Sequence, residues 1–487
     1  MKARAIPVKP SDAFPALTHI ALLAVVAMTI AGCTVGPDYV RPGAPVPAAF
    51  KGAEGWKSAQ PRDDAPRGTW WRAFGDMELD ALVRLVDLAN PTVQAAEARV
   101  RQARAAMLAA RAGLFPSLTG NAAALRSSRA TGTGSGATSI ANSYNAALDL
   151  SWEIDLWGRA RRGVEASEAT AQASAADLAA ARLSVQALLA QDYLLLRVQD
   201  AQIQLLEDTV AGYQKSLQLT RNQYAAGIVA RGDVAQAEAQ LKSTQAQALD
   251  ARIARAQLEH AIAVLVGKPP AELALVARPL EAVFPDIPVA VPSELLERRP
   301  DIAAAERRTA SANAQIGVAQ AAFFPALSLS ALGGVQSSAL GNLLSLPARY
   351  WSLGAGLAQP IFDAGLRSAQ KAETVATYDM TVADYRTTVL QAFQEVEDNL
   401  VALSILQQEA AVQDEAVRAA RESAAIANNQ YKAGTAVYLV VVVLQAAELN
   451  SERTALAILA RRLTASVGLI KALGGGWNAS ALAAAGE

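Results

Sequence analysis

The chain is an internal duplication, which limits its fold at once: whatever one half forms, the other must be able to form too. Asn90-Pro91 opens an alanine-rich stretch ending at Leu114-Phe115-Pro116-Ser117-Leu118. Arg299-Pro300-Asp301 opens one ending at Phe323-Phe324-Pro325-Ala326-Leu327, and the two are 209 residues apart. Asn222-Gln223-Tyr224 followed by Gly227 recurs as Asn429-Gln430-Tyr431 followed by Gly434, 207 residues later. Gly158 after Ile154-Asp155 has its counterpart in Gly365 after Ile361-Phe362-Asp363.

Each half reads in one order. A helix of about 24 residues starts at a proline, which the first helical turn tolerates, and stops at another. Two strand-like segments follow. Between Asn145 and Asp155, Ala146, Leu148, Leu150, Trp152 and Ile154 alternate with Asn145, Asp149, Ser151, Glu153 and Asp155, the period of a strand with unlike faces. The second half sets Leu327, Leu329 and Ala331 against Ser328 and Ser330, then Leu353, Ala355 and Leu357 against Ser352, Gly354 and Gly356. Segments 127–143 and 333–346, rich in Gly, Ser, Thr and Asn, are expected to be exposed loops.

Alternation suits a soluble sandwich as well as a transmembrane barrel. Four strands per chain cannot close a barrel, and lipid forbids an open sheet edge. Either the strands stay in water or several chains share one barrel.

Each half ends in a long helical hairpin, over 159–266 and 366–473, with arms of about 45–65 residues, or roughly 70–100 Å at 1.5 Å per residue. Ala166, Ala169, Ala173 and Ala176 recur at spacings that let helices approach closely, and aromatics are only 5% of the chain. That composition fits long helices packed through small side chains. Gly227 and Gly434 fall at the hairpin turns, the C′ position that favours glycine.

The N-terminus carries Lys2, Arg4 and Lys9, then an apolar run over 20–32 ending directly before Cys33. The run is too short for the roughly 20 residues of a bilayer-spanning helix and has a signal-peptide layout. Ile30-Ala31-Gly32-Cys33 resembles the bacterial lipobox, whose cysteine is acylated and becomes residue one. Thr34, in place of the aspartate that retains lipoproteins at the inner membrane, implies by that resemblance sorting to the outer membrane.

Other functions are disfavoured. One cysteine and two histidines, His19 and His260, leave too few ligands for a Cys/His metal cluster, so neither metal nor cofactor is expected. A net charge of −1 lacks the basic footprint of a nucleic-acid binder. His260 sits on a helical arm, Gly474-Gly475-Gly476 lacks the lysine of a phosphate loop, and Glu395, Glu397 and Asp398 are read as a solvated helix face. The chain is therefore not expected to be an enzyme. Asp149, Glu153 and Asp155 are expected to line a mildly cation-favouring lumen.

Several segments resemble the outer-membrane efflux protein family, the TolC-like channels of tripartite pumps, in its lipoprotein branch. They are the stretch from Cys33 through Gly36-Pro37-Asp38-Tyr39, Trp70-Trp71 with Phe74-Gly75-Asp76, and Trp152 through Gly158-Arg159. The resemblance continues from Pro292 through Arg298-Arg299-Pro300-Asp301 and in Gln359-Pro360-Ile361-Phe362-Asp363 with Gly365. It implies a mainly α chain with a membrane β-barrel portion: a homotrimer with a 12-stranded outer-membrane barrel continuous with a periplasmic α-helical barrel. It also implies a periplasmic adaptor and an inner-membrane transporter, commonly of the resistance-nodulation-division type, with small-molecule efflux as the role. Metal-ion efflux or type I protein secretion are the alternatives within that class, and a lipid-anchored coiled-coil scaffold is the alternative outside it.

The resemblance places a closed aperture at the hairpin turns. Asp233, six residues after Gly227, matches a family aspartate of that aperture, with Arg231 nearby. The corresponding position after Gly434 is Val440, inside the run Val437-Tyr438-Leu439-Val440-Val441-Val442-Val443. An apolar Val440/Val443 constriction supported by Tyr438, with Asp233 giving charge contacts, is the expectation; valines merely packed between helices are the plainer one. The expected boundaries are a signal peptide over 1–32, an anchored N-terminal segment over 33–89, repeats over 90–270 and 299–473, a linker over 271–298 and a tail over 474–487.

Overall fold

The computed structural model describes residues 34–51, 69–130, 138–278, 283–285, 287 and 295–477. The expected signal peptide, Cys33, part of the linker and most of the tail lie outside them. The elements are α1 (Met77–Ala89), α2 (Pro91–Ala112), β1 (Ser117–Ala130), β2 (Thr138–Ile154), α3 (Arg159–Ala225) and α4 (Arg231–Leu265), then α5 (Pro300–Ala321), β3 (Ala326–Ser337), β4 (Arg349–Ala358), α6 (Leu366–Lys432) and α7 (Tyr438–Ala472).

The halves match element for element. Helices α2 and α5 have 22 residues each, α3 and α6 67, and α4 and α7 35. The hairpin arms are thus unequal rather than both within 45–65 residues, because the turn glycine lies well past the middle of each hairpin.

The chain forms two compact units. One comprises Met1–Pro42, Gln102–Ala171 and Glu306–Ala383, and the other Gly43–Arg101, Gln172–Ala305 and Asp384–Glu487. The first holds one antiparallel sheet in the order β1-β2-β3-β4. Residues 127–130, 138–143 and 333–337 belong to its strands, which corrects the expected loops. Gly, Ser, Thr and Asn signal a turn only where the backbone must bend or stay solvated. Here they alternate between the two faces of a sheet whose residues are mostly exposed, and Gly334 lies where a Cβ would come within 2.6 Å of the Ala146 carbonyl oxygen.

The same unit clamps the segment following Cys33. The Val35 amide donates to the Trp157 carbonyl at 3.1 Å, Asn313 Nδ2 to the Pro37 carbonyl at 3.0 Å, and Arg162 Nη2 to Asp38 at 2.8 Å. The Tyr39 hydroxyl donates to Glu306 Oε1 at 2.6 Å. Gly158, at φ +81°, faces the Thr34 Cα where a Cβ would sit 3.0 Å away. Thr34 is therefore held at the junction of β2 and α3.

In the second unit, Trp70, Trp71, Phe74 and the apolar face of α1 pack on Leu189, Tyr193, Leu196 and Ile262. The middle of α6 packs separately, through Tyr385, Val389, Phe393 and Leu400, on Ile302, Ala305 and Leu469. Burying these faces, more than helix propensity, is what stabilises helices of this length.

Candidate transport path

Cross-strand partners share a face, so register sorts the strand residues. One face carries Leu118, Leu150, Ala331 and Leu353 in one row, Trp152, Leu329 and Ala355 in the next, and Ile154, Leu327 and Leu357 in a third. The other carries Ser117, Ser151, Ser330 and Gly354, with Glu153, Ser328 and Gly356 beside them and Thr119, Asp149, Leu332 and Ser352 above. The first face is apolar with Leu118, Leu148, Leu353 and Leu357 exposed. The second is polar. Among the described residues no helix is long and apolar enough to cross a membrane.

Asp149 and Glu153 both lie on the polar face, as a lumen lining requires. Asp155 does not: β2 stops at Ile154, and the Asp155 carboxylate accepts the Arg161 amide at 2.8 Å and its Nε at 3.2 Å. Its duplicate Asp363 holds Arg367 the same way, at 2.6 Å. These aspartates fasten the strand-to-helix corners, which a reading by alternation alone could not separate from the strand.

Both hairpin turns are built alike. Gly227 and Gly434 sit at φ +74° and +77°. Their amides donate to Tyr224 and Tyr431, while those of Ile228 and Thr435 reach back to Gln223 and Gln430, a Schellman cap. The returning helices are preceded by Ala230 and Val437, neither of which caps with its side chain. Asp233 and Val440 are thus equivalent third residues of α4 and α7, and only Asp233 places a carboxylate at the positive end of a helix.

Tyr438, Val441 and Val442 are buried with Tyr213, Leu217, Leu241 and Tyr431, and that packing holds the β-branched run helical. The Tyr431 hydroxyl donates to Gln223 at 2.5 Å, and its ring lies 5.2 Å from that of Tyr438. Burial, with Tyr431 and Tyr213 nearby, pushes the Tyr438 hydroxyl up to about 12, so it stays protonated. Val440 and Val443 instead point outward, 39% and 57% exposed. Arg231 is exposed, and among the described residues no ion pair joins it to Asp233. Arg221 and Glu238 pair across the first turn.

Sequence reasoning missed two charged networks in the second unit. Arg197, 1% exposed, donates to Asp200 at 2.7 Å, to Glu78 at 2.7 Å and to the Val276 carbonyl at 2.8 Å. Asp200 also accepts Arg255 at 2.6 Å. Beside them Asp76 caps α1 and accepts from Arg278 and from the Tyr193 hydroxyl at 2.7 Å. Burial pushes its carboxyl up, but the hydrogen bonds from Tyr193, the Leu79 amide and Arg278 outweigh this and hold it below the ordinary carboxylate value. In the second network Arg299 donates to Glu395 and Asp301, each at 2.7 Å, and to the Ala472 carbonyl at 3.1 Å. Glu395 is therefore a structural anchor and not part of a merely solvated face.

The outer membrane efflux protein model matches residues 82–268 and 291–475, one stretch per half. The chain is 32% identical over 472 residues to the probable efflux pump outer membrane protein TtgC of Pseudomonas putida, covering 93% of this chain and 95% of that one. It is 32% identical over 475 residues to outer membrane protein OprJ of Pseudomonas aeruginosa, covering 95% and 97%. Among solved structures, the outer-membrane channel OprN matches with a TM-score of 0.85 at 31% identity, over 91% of this chain and 100% of that chain.

Proposed function

The chain belongs to the outer membrane efflux protein family, and on that footing we propose that three copies share one outer-membrane barrel, four strands from each, above a periplasmic barrel of their hairpins. It is the outer-membrane channel component of an efflux system, reaching into the periplasm, and not an enzyme. The observation that carries the proposed assembly is the sheet itself. It has one apolar face and two unpaired edges, β1 and β4, which lipid excludes unless a second copy pairs with them. Apolar Leu390, Val401, Ile405, Val412 and Ile426 lie exposed along α6, a further surface for neighbouring copies. Native mass spectrometry of the detergent-solubilised chain is expected to give three copies; a monomer would sink the shared barrel.

Transport through such a duct is passive in this reading. The driving force comes from an inner-membrane transporter of the resistance-nodulation-division type, joined through a periplasmic adaptor at the hairpin turns. Small organic molecules are the cargo this reading favours. Relatives are named for toluene, antibiotic and pyoverdine export.

Cys33 is the lipid attachment site in this reading. The clamp on residues 34–39 supports it, because it holds Thr34 at the end of a membrane strand, where acyl chains would meet the inner leaflet of the bilayer. Cells fed labelled palmitate should yield labelled protein from the wild type and none from Cys33→Ser; equal label in both would refute the assignment.

The aperture closes, in the same reading, on Val440 and Val443 from each copy, with Tyr438 buttressing from the buried side and Asp233, with Arg231 near it, adding charge at the neighbouring turn. An apolar constriction expels water and so blocks ions without a plug. In planar bilayers, Val440→Asp/Val443→Asp should raise closed-state conductance at least tenfold. Unchanged conductance would mean that the valines only pack.

A further inference from the structure

We propose that each joint between copies carries, at its outer end, a site for the phosphates of a doubly phosphorylated outer-leaflet lipid, formed by Arg349 and Trp351 of one copy and Arg126 of the next. It rests on the shared barrel proposed above.

Duplication supplies the register of the joint. Within the chain, β2 meets β3 with Tyr144 opposite Ser337 and Ile154 opposite Leu327. The pairs Ser117 with Ser151 and Ala326 with Ala358 make β3 the counterpart of β1 at 209 residues and β4 the counterpart of β2 at 207. Repeating the β2·β3 joint between β4 and the next copy's β1 sets Leu357 opposite Ala122, Ala355 opposite Ala124 and Leu353 opposite Arg126. Every such pair keeps apolar face with apolar face. A one-residue slip would reverse every side chain of β1.

On that face Arg126 and Arg349 are the charged strand residues, and the acidic Asp149 and Glu153 lie on the other. Both arginines are exposed, and among the described residues neither has an ion-pair or hydrogen-bond partner. From Leu357 to Arg349 is about 26 Å of strand at 3.3 Å per residue, or about 20 Å of depth at the usual barrel tilt. That puts the guanidinium at the outer edge of an apolar band about 25 Å tall. A cation on the lipid face is costly at the midplane and tolerated at this level.

A lone arginine there would simply extend toward any headgroup. The joint instead brings two uncompensated guanidinium groups together, their Cα atoms about 14 Å apart for four residues along and one strand across, with Trp351 between them and 76% exposed. Guanidinium binds phosphate through paired charge-assisted hydrogen bonds, and an indole sits well at the headgroup level. Two phosphates on one lipid match two such groups.

Native mass spectrometry of the full assembly with bisphosphorylated lipid A tests this. Binding is expected to weaken at least tenfold in Arg126→Gln/Arg349→Gln, with three copies still present, and to hold in a control losing two exposed helix arginines, Arg84→Gln/Arg418→Gln. Equal binding by wild type and the double variant would overturn the site, as would equal affinity for monophosphorylated lipid A or displacement by millimolar inorganic phosphate. Oxidation should crosslink Ala124→Cys/Ala355→Cys between copies but not Ala122→Cys/Ala355→Cys. The reverse pattern in a three-copy assembly would overturn the register and with it the site, whereas a monomer would instead overturn the shared barrel.

Discussion

Asp200→Ala is expected to cost about 3–5 kcal/mol, the usual penalty for removing one partner of a buried charged pair. Its side chain is 2% exposed and lies between the buried side chain of Arg197 and that of Arg255. Removing it leaves two guanidinium groups facing one another across a gap that water cannot readily fill. Arg197 would keep Glu78 and the Val276 carbonyl, but its Nε is already buried without an acceptor, so the site has no spare capacity. Asp208→Ala, exposed on the same helix, should change stability by no more than about 0.5 kcal/mol. Denaturation midpoints of the two purified variants would separate them. The double replacement Arg197→Met/Asp200→Leu should recover part of the loss, because the buried guanidinium goes with its partner, while Arg255 keeps Glu259 and Glu78 keeps Arg278. If Asp200→Ala unfolds alongside Asp208→Ala, the network is not what ties α3 to the segment around Val276.

Gly474→Ala should be far more damaging than Gly434→Ala, although both glycines close helix ends in the left-handed region. Gly434 sits at φ +77° with nothing within 4 Å of the position a Cβ would take, so alanine there meets only the backbone penalty of about 1–2 kcal/mol. At Gly474, φ +90°, the same Cβ would fall 2.0 Å from the Arg298 carbonyl oxygen. Backbone cannot rotate aside as a side chain can. The end of α7 and the start of α5 would have to part, pulling the buried Arg299 from Ala472 and Glu395. The total is about 4 kcal/mol or more once lost acceptors for a buried charge are included. Thermal unfolding of both variants checks the contrast, and equal midpoints would show that the close approach is tolerated. The duplicate Gly267 meets the Ala89 carbonyl in the same way, at 2.3 Å, so Gly267→Ala belongs with the severe case.

The order of the repeated elements was legible before folding, though not the length of the strands or of the hairpin arms, since a strand's alternation, a helix's run between prolines and a turn glycine's positive φ are each set within a few residues. Gly227 and Gly434 are the clearest instances: the conformation that selects glycine there arises from the helix end alone. Four alternating strands also required several copies if they were to enter lipid. Which polar residues work together was settled by tertiary structure alone. Asp155 followed the strand's alternation yet serves as a corner clasp, because alternation records position along the backbone and not which guanidinium lies above it. Glu395 and Asp398 are three residues apart on one helix, and only Glu395 holds Arg299, 96 residues away. Asp76 meets Arg278 across 202 residues. Charges find such partners through folding geometry, and no local period records them, so the buried networks of the second unit stayed out of reach until the chain was seen folded.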